Sequence, residues 1–300
     1  MKRKIIRMIG WTVCISVFLV AVYFLTAFFG NPISSAVAKR NAEKYLQEHF
    51  AETDFQIENV GYDLKSGGYF ARIHSPSSID SHFTIYFDSL GRYKYDSYFA
   101  IDSKNNTIGR LDEGYFELTN DLLSKAAEQY DISISFGELK IAELYEIYSY
   151  TDKQGHIQHY TLSKNYGIDR DSLVVDGEYD IRQLGQDHGC ITLYIHDPEL
   201  SVERAAELLL EIKDCFDDLG LPFHAIEFHL CEPRNEAGQM TDDQITLYEF
   251  LYSDIYEDGL VDRVVDHWNI AREHHAIQDA LKLEAELLVP YFIDIREDNP

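Results

Sequence analysis

Histidine, cysteine and glutamate crowd into one stretch, where His224, His229, Cys231 and Glu232 lie on or beside a predicted strand. Alternation along a strand puts Glu227, His229 and Cys231 on the same face. These are zinc-ligand types, and His229 with Cys231 is the pair a metal-dependent centre would use. Same-face neighbours on one strand stand about 6.6 Å apart, so a tetrahedral ion needs further ligands from other elements, and no recognisable spacing supplies them. His267 and His274 nearly share a helical face, but two turns hold them about 10.5 Å apart, too far for one ion. Solvated or packed histidines explain the same residues without a metal. No Gly-x-Ser-x-Gly elbow, phosphate loop or dinucleotide glycine fingerprint occurs. No catalytic residue and no cofactor is therefore assigned. Acidic pairs such as Asp217-Asp218 and Asp242-Asp243 read as surface charge.

Tyrosine is the other abundant functional type, with 21 copies. Tyr93, Tyr95 and Tyr98 fall near one predicted hairpin. Tyr248, Tyr252 and Tyr256 stand at i, i+4 and i+8, one stripe if that segment is helical. Such a stripe either packs a neighbouring helix or forms an exposed interaction surface, since tyrosine brings large area and a hydrogen bond at low entropy cost.

The elements that must position these residues predict an α+β chain: a transmembrane helix, a helix-plus-antiparallel-sheet module, and a second α+β module containing a β-α-β unit. The expected divisions are 1–30, 31–131 and 132–300. In the first module Ser34 or Ser35 caps a helix to about Phe50, with Ala38, Ala42, Tyr45, Leu46 and His49 at helical spacing. Strands follow at 55–63, 69–74, 82–87 and 92–99, where Phe83-Thr84-Ile85-Tyr86-Phe87 alternates as a strand with one covered face does. A helix from about Asp112 to Tyr130 carries Tyr115, Leu118, Leu122, Leu123 and Ala126. In the second module 133–150 and 156–163 read as a hairpin. Cys190 to His196, a helix capped by Ser201 and stopped by Gly220 and Pro222, and Phe223 to Cys231 make a β-α-β unit with parallel strands, in a mixed sheet with that hairpin. Residues 259–288 predict a long helix.

The membrane expectation rests on the N-terminus. Lys2, Arg3, Lys4 and Arg7 precede 22 uncharged residues from Met8 to Phe29, a length matching the hydrocarbon core. The basic tip favours a cytoplasmic N-terminus and an extracytoplasmic body, although Lys39, Arg40 and Lys44 flank the other end. The run is too long for the apolar region of a signal peptide. The whole chain holds 26 basic and 52 acidic residues, a balance that repels nucleic acid and leaves a solvated acidic surface. Three cysteines beyond the run, Cys190, Cys215 and Cys231, imply no disulfide scaffold.

Several segments, Ala42-Glu43-Lys44-Tyr45-Leu46, Phe55 to Tyr62, His74-Ser75-Pro76-Ser77-Ser78, His82 to Tyr86, Gly109-Arg110-Leu111, Pro233-Arg234-Asn235 and Glu249 to Glu257, resemble the YfjL-like proteins. That resemblance implies uncharacterised single-span membrane proteins of Gram-positive bacteria, with no known activity and no site residues to carry over. The helix followed by antiparallel hairpins with an Asp-x-x-Gly turn is also similar to PepSY-type modules, which implies an interaction domain. The expectation is a membrane-anchored extracytoplasmic binding protein with a protein partner in the membrane or envelope. The alternatives are an envelope hydrolase or metal-dependent enzyme on the second module, or a structural accessory protein.

Overall fold

The computed structural model describes residues 30–142, 147–151, 157–161, 166–234, 238, 244–269 and 272, with 11, 14–17, 20, 24, 26, 28 and 29 of the N-terminal run; side chains of 147–161 are not described. Two compact units divide the chain, residues 1–109 with 173–177, and residues 110–172 with 178–300.

The first unit opens with helix α1, Pro32–His49. It begins two residues before the expected serine cap, because Asn31 Oδ1 accepts the Ile33 N–H at 2.9 Å and Pro32 sits at the first turn, where a missing N–H costs nothing. The Tyr69 hydroxyl accepts the Asn31 N–H and donates to the Asn31 carbonyl at 2.9 Å, tying this cap to the sheet. Strands β1 (Gln56–Asp63), β2 (Gly68–Ser75), β3 (Ser78–Phe87) and β4 (Tyr93–Asp96) form an antiparallel meander in chain order.

The inner face of that sheet is Tyr69, Ala71 and Ile73 of β2 with Phe83, Ile85 and Phe87 of β3, all buried with Ala38 and Ala42 of α1. Each large side chain removed from water here contributes about 1.5–3 kcal/mol. Phe50, Phe55, Phe83 and Tyr98 close one end with tilted and edge-on ring contacts. At the other end Gly91 lies under α1 at φ +79, and a Cβ there would stand 2.6 Å from Ser34 O and 2.8 Å from Ala38 N. Asn41 Nδ2 donates to the Gly91 carbonyl at 2.7 Å. Asp88 builds the turn before it, accepting from the Leu90 and Arg92 backbone at 2.9 Å. The segment 173–177 returns to this unit through a reciprocal clasp: Asp176 N–H donates to Asp80 Oδ2 at 2.8 Å, and Asp80 N–H to Asp176 Oδ1 at 2.9 Å.

A short helix α2 (Phe99–Asp102) leads to α3 (Asn105–Ala126), which begins seven residues earlier than its apolar stripe predicts and continues into the second unit. There Tyr115 is wholly buried in a slot of glycines. A Cβ at Gly137 would meet Thr119 and Tyr115, and one at Gly185 or Gly189 would meet the Tyr115 ring or hydroxyl. The hydroxyl donates to the Pro222 carbonyl at 2.7 Å.

The second sheet runs in the order β10 (Gln244–Leu251), β9 (Ala225–Cys231), β8 (Gly189–His196) and β5 (Ile132–Leu139). Strand β5 pairs antiparallel with β8, and β8 pairs parallel with β9. Between them α5 (Val202–Leu219) is capped by Ser201 and ended by Gly220 in the left-handed region, as the sequence predicts. Its buried stripe is Ala205, Leu208, Leu209, Ile212 and Phe216. Helix α4, Ile181–His188 with an Asp180 cap, precedes β8 and has no counterpart in the sequence reading. Of the expected hairpin, only β5 enters the mixed sheet; β6 (Ile147–Thr151) and β7 (Ile157–Thr161) form a separate pair.

Two further expectations change. Residues 243–258 hold strand β10, Gln244–Leu251, antiparallel to β9 with a bulge between Leu247 and Phe250, followed by a short 3-10 turn. The expected transmembrane helix from Met8 to Phe29 is corrected: among the described residues no helix is long and apolar enough to cross a membrane. Much of that run lies outside the described residues, and the first continuous helix, α1, carries Lys39, Arg40, Glu43, Lys44 and Glu48, charges a hydrocarbon core would not accept. The final helix is described over 260–269 with Leu260 and Val264 buried; the rest of 259–288, apart from residue 272, lies outside the described residues.

Gly91→Ala combines a left-handed backbone with a clash against helix backbone and is expected to cost about 3 kcal/mol in urea unfolding. Gly67→Ala, at φ +65 with open space around it, should lose only about 1–2 kcal/mol.

Candidate functional site

Strand alternation gives the second sheet two unlike faces. Ile191, Leu193 and Ile195 of β8 with Ile226, Phe228 and Leu230 of β9 form the apolar one. The other carries Cys190, Thr192, Tyr194 and His196 beside Ala225, Glu227, His229 and Cys231, register partners along the parallel pair. The sequence places Glu227, His229 and Cys231 on one face, and the structure adds Thr246 and Tyr248 from β10. His229 is buried, with Nδ1 3.1 Å from Thr246 Oγ1 and Nε2 3.3 Å from Glu227 Oε1. Its ring stacks on Tyr194 at 3.9 Å and meets Tyr248 edge-on at 6.2 Å.

Both ring nitrogens of His229 are thus turned to protein partners. Cys231 Sγ lies 3.8 Å from Gln244 Oε1 and 4.0 Å from the His229 carbonyl. His224 Nδ1 approaches the Gln186 carbonyl at 3.2 Å, and the Glu232 carbonyl lies 2.8 Å from His196 Nδ1. Among the described residues no group of three His, Cys, Asp or Glu side chains is placed to share an ion. His267 packs on Phe250 at 4.7 Å, and His274 lies outside the described residues.

Further along this face Lys140 pairs with Glu138 and lies 3.8 Å from Glu249. Burial works against its charge, but Cys190 and the two carboxylates outweigh that and raise its pKa. Cys190 is fully buried, and that burial pushes its thiol up to about 12 despite Lys140 and Tyr166 nearby. Burial also raises Cys231. A thiol without thiolate character or access is chemically quiet. The chemistry available on this face is orientation and packing of polar groups.

The three tyrosines expected as one stripe are separated. Tyr248 is on β10, half-buried against His229; Tyr252 sits in the 3-10 turn, donating to Asp217 Oδ1 at 2.9 Å with Lys213 Nζ 4.2 Å from its ring. Tyr256 is exposed, with the Arg263 guanidinium 3.6 Å from its ring centroid. They do not share a helical face.

The first sheet holds a surface that sequence reasoning missed. Opposite α1, register lines up Gly61, Phe70, Tyr86 and Tyr95 across all four strands, then Asn59, Arg72 and Thr84, then Gln56, His74 and His82. Tyr86 and Tyr95 stack at 4.6 Å, and the Arg72 guanidinium stands 5.6 Å from the Phe70 centroid. Gly61 leaves room for the Phe70 ring, which a Cβ would overlap. Tyr95, Arg72 and His82 are exposed, while Phe70, His74 and Tyr86 are half-buried. The same face carries two acidic residues, Asp63, paired with Gly68 at one end, and Glu58, in the β1 bulge. The nearest signal in the sequence is the cluster of tyrosines at the hairpin, which carries no register.

Comparison with known families matches residues 3–97 to the YfjL-like N-terminal domain and residues 117–265 to the YfjL-like C-terminal domain. No curated protein and no solved structure matches the chain.

Alkylation of the native protein should leave Cys190 and Cys231 unmodified, and both should react once the chain is denatured. Mass spectrometry of the two samples checks this; ready labelling of native Cys190 would show an open site where the structure has a closed one.

Proposed function

The chain belongs to the YfjL-like family, and we propose that it works by binding a partner protein through the open face of its first sheet. The observation that carries this reading is the cross-strand row Gly61-Phe70-Tyr86-Tyr95 with Arg72 beside it, on the side of the sheet that α1 does not cover, where Tyr95 and Arg72 are exposed and Gly61, Phe70 and Tyr86 half-buried. Tyrosine and arginine are the side chains that dominate protein interfaces, because each combines large contact area with directional hydrogen bonding. The meander fixes these side chains on strands rather than loops, so little ordering is lost on contact. The polar face of the second sheet supports the reading by contrast, since His229, Cys190 and Cys231 are buried there, His229 between Thr246 and Glu227 and Cys231 beside Gln244.

A photo-reactive amino acid placed at Tyr95 or at His82 in living cells should give one discrete crosslinked adduct on irradiation. The same probe at Glu52, exposed beyond the end of α1, should give none. Equal adducts at all three positions, or none at any, would contradict the proposal.

A further inference from the structure

Helix α4 of the second unit ends between two imidazole rings. His188 is its last residue, and the His188 Nδ1 atom is buried with no hydrogen-bond partner among the described residues. His224, just before β9, turns its Nδ1 to the Gln186 carbonyl of the same helix at 3.2 Å, and its ring packs on Tyr166 at 4.5 Å. A carbonyl only accepts, so that nitrogen of His224 carries a proton. The backbone is tied around the pair: Lys140 N–H donates to the His188 carbonyl at 2.9 Å, and His224 N–H to the Gly189 carbonyl at 2.8 Å.

This helix end closes the slot that holds Tyr115. Gly185 lies so near that a Cβ there would stand 2.5 Å from Tyr115 Cε2, and the Gly189 N–H donates to the Gly185 carbonyl. At the other end of α4 Ile181 packs over Gly114. With only eight residues, the helix depends on these contacts to persist.

A second proton on His188 would make both of its ring nitrogens donors, and the buried Nδ1 faces no acceptor. Burial opposes the charged ring, Asp187 on α4 favours it, and His224 opposes it; the balance holds the His188 pKa below the ordinary histidine range. The last carbonyls of the helix favour the charged ring too, within the same balance. Of the neighbouring groups, Lys140 directs its ammonium to Glu138 and Glu249, while Cys190 and Tyr166 stay uncharged near neutral pH, burial having raised both. The folded chain thus takes up this proton less readily than the unfolded chain. The stability involved is complete above about pH 6.5 and is lost as pH falls below that.

We propose that the end of α4 is an acid-sensitive latch: a second proton on His188 loosens residues 181–189 from Tyr115 while the sheet beneath stays folded. Acidification then opens the Tyr115 slot before any other part of this unit.

Hydrogen exchange of the full chain at pH 7.5 and pH 5.5, corrected for the intrinsic rate and read by mass spectrometry, tests this. Protection of residues 181–189 should fall by about threefold or more relative to α5 at the lower pH. His188→Gln, which cannot take the proton, should abolish that difference, and circular dichroism verifies that the variant folds. A proton NMR titration of the wild type supplies a reading that needs no variant, and the His188 ring should titrate below about pH 6.5. Protection of α4 that tracks α5 at both pH values would overturn the latch. So would an equal loss in His188→Gln, or a His188 midpoint at or above the ordinary histidine value.

Discussion

Helix α1 covers one face of a four-stranded sheet, and it comes close enough to do so because Ala38, Ala42 and Gly91 present almost no side chain at the contact. The helix start is fixed by the Asn31 cap and by Tyr69, which bonds both backbone groups of Asn31. Asp88 shapes the turn that delivers Gly91 beneath the helix. These contacts make the two faces of the sheet unequal: one becomes the core of the unit, and the other keeps Phe70, Arg72, Tyr86 and Tyr95 toward solvent. A larger residue at Gly91 would lift the helix and loosen the inner face, while leaving the outer side chains in place but on a less rigid platform.

The second unit solves the same problem differently. Its sheet is apolar on one face and polar on the other, and the polar face is also buried around His229 and Cys190. Burying a polar group costs stability unless it is paired. His229 lies between Thr246 and Glu227, and Lys140 between Glu138 and Glu249. Such networks specify one arrangement of strands rather than adding much net stability. Tyr115 acts similarly on the apolar side, filling a slot that only Gly137, Gly185 and Gly189 leave open.

Much of this was legible in the sequence where local patterning and tertiary packing agree. The helix from Ser201 to Gly220 shows its cap, stripe and stop, and Phe83 to Phe87 shows its alternation. Legibility failed where the deciding fact is long-range. Tyr248, Tyr252 and Tyr256 keep helical spacing, but pairing of β10 with β9 overrides it. Helix α4 is short and polar, and depends on its Asp180 cap and on Gly185 fitting against Tyr115. The charge-free run before α1 reads as a span from hydropathy alone, whereas no described helix has the length and apolarity to be one. The Gly61-Phe70-Tyr86-Tyr95 row is invisible in one dimension, because its members are neighbours only through register.

The central claim is that the first sheet keeps one face closed and one face open, and hydroxyl-radical footprinting of the intact protein tests it most directly. Mass spectrometry would read oxidation at Tyr95, Tyr86 and Phe70 against oxidation at Tyr69, Phe83 and Phe87. The account predicts rapid oxidation of Tyr95, slower but clear oxidation of Tyr86 and Phe70, and protection of the three inner rings. Protection of Tyr95 and Tyr86 as deep as that of Phe83 would mean the face is already covered in the free protein, and would contradict it.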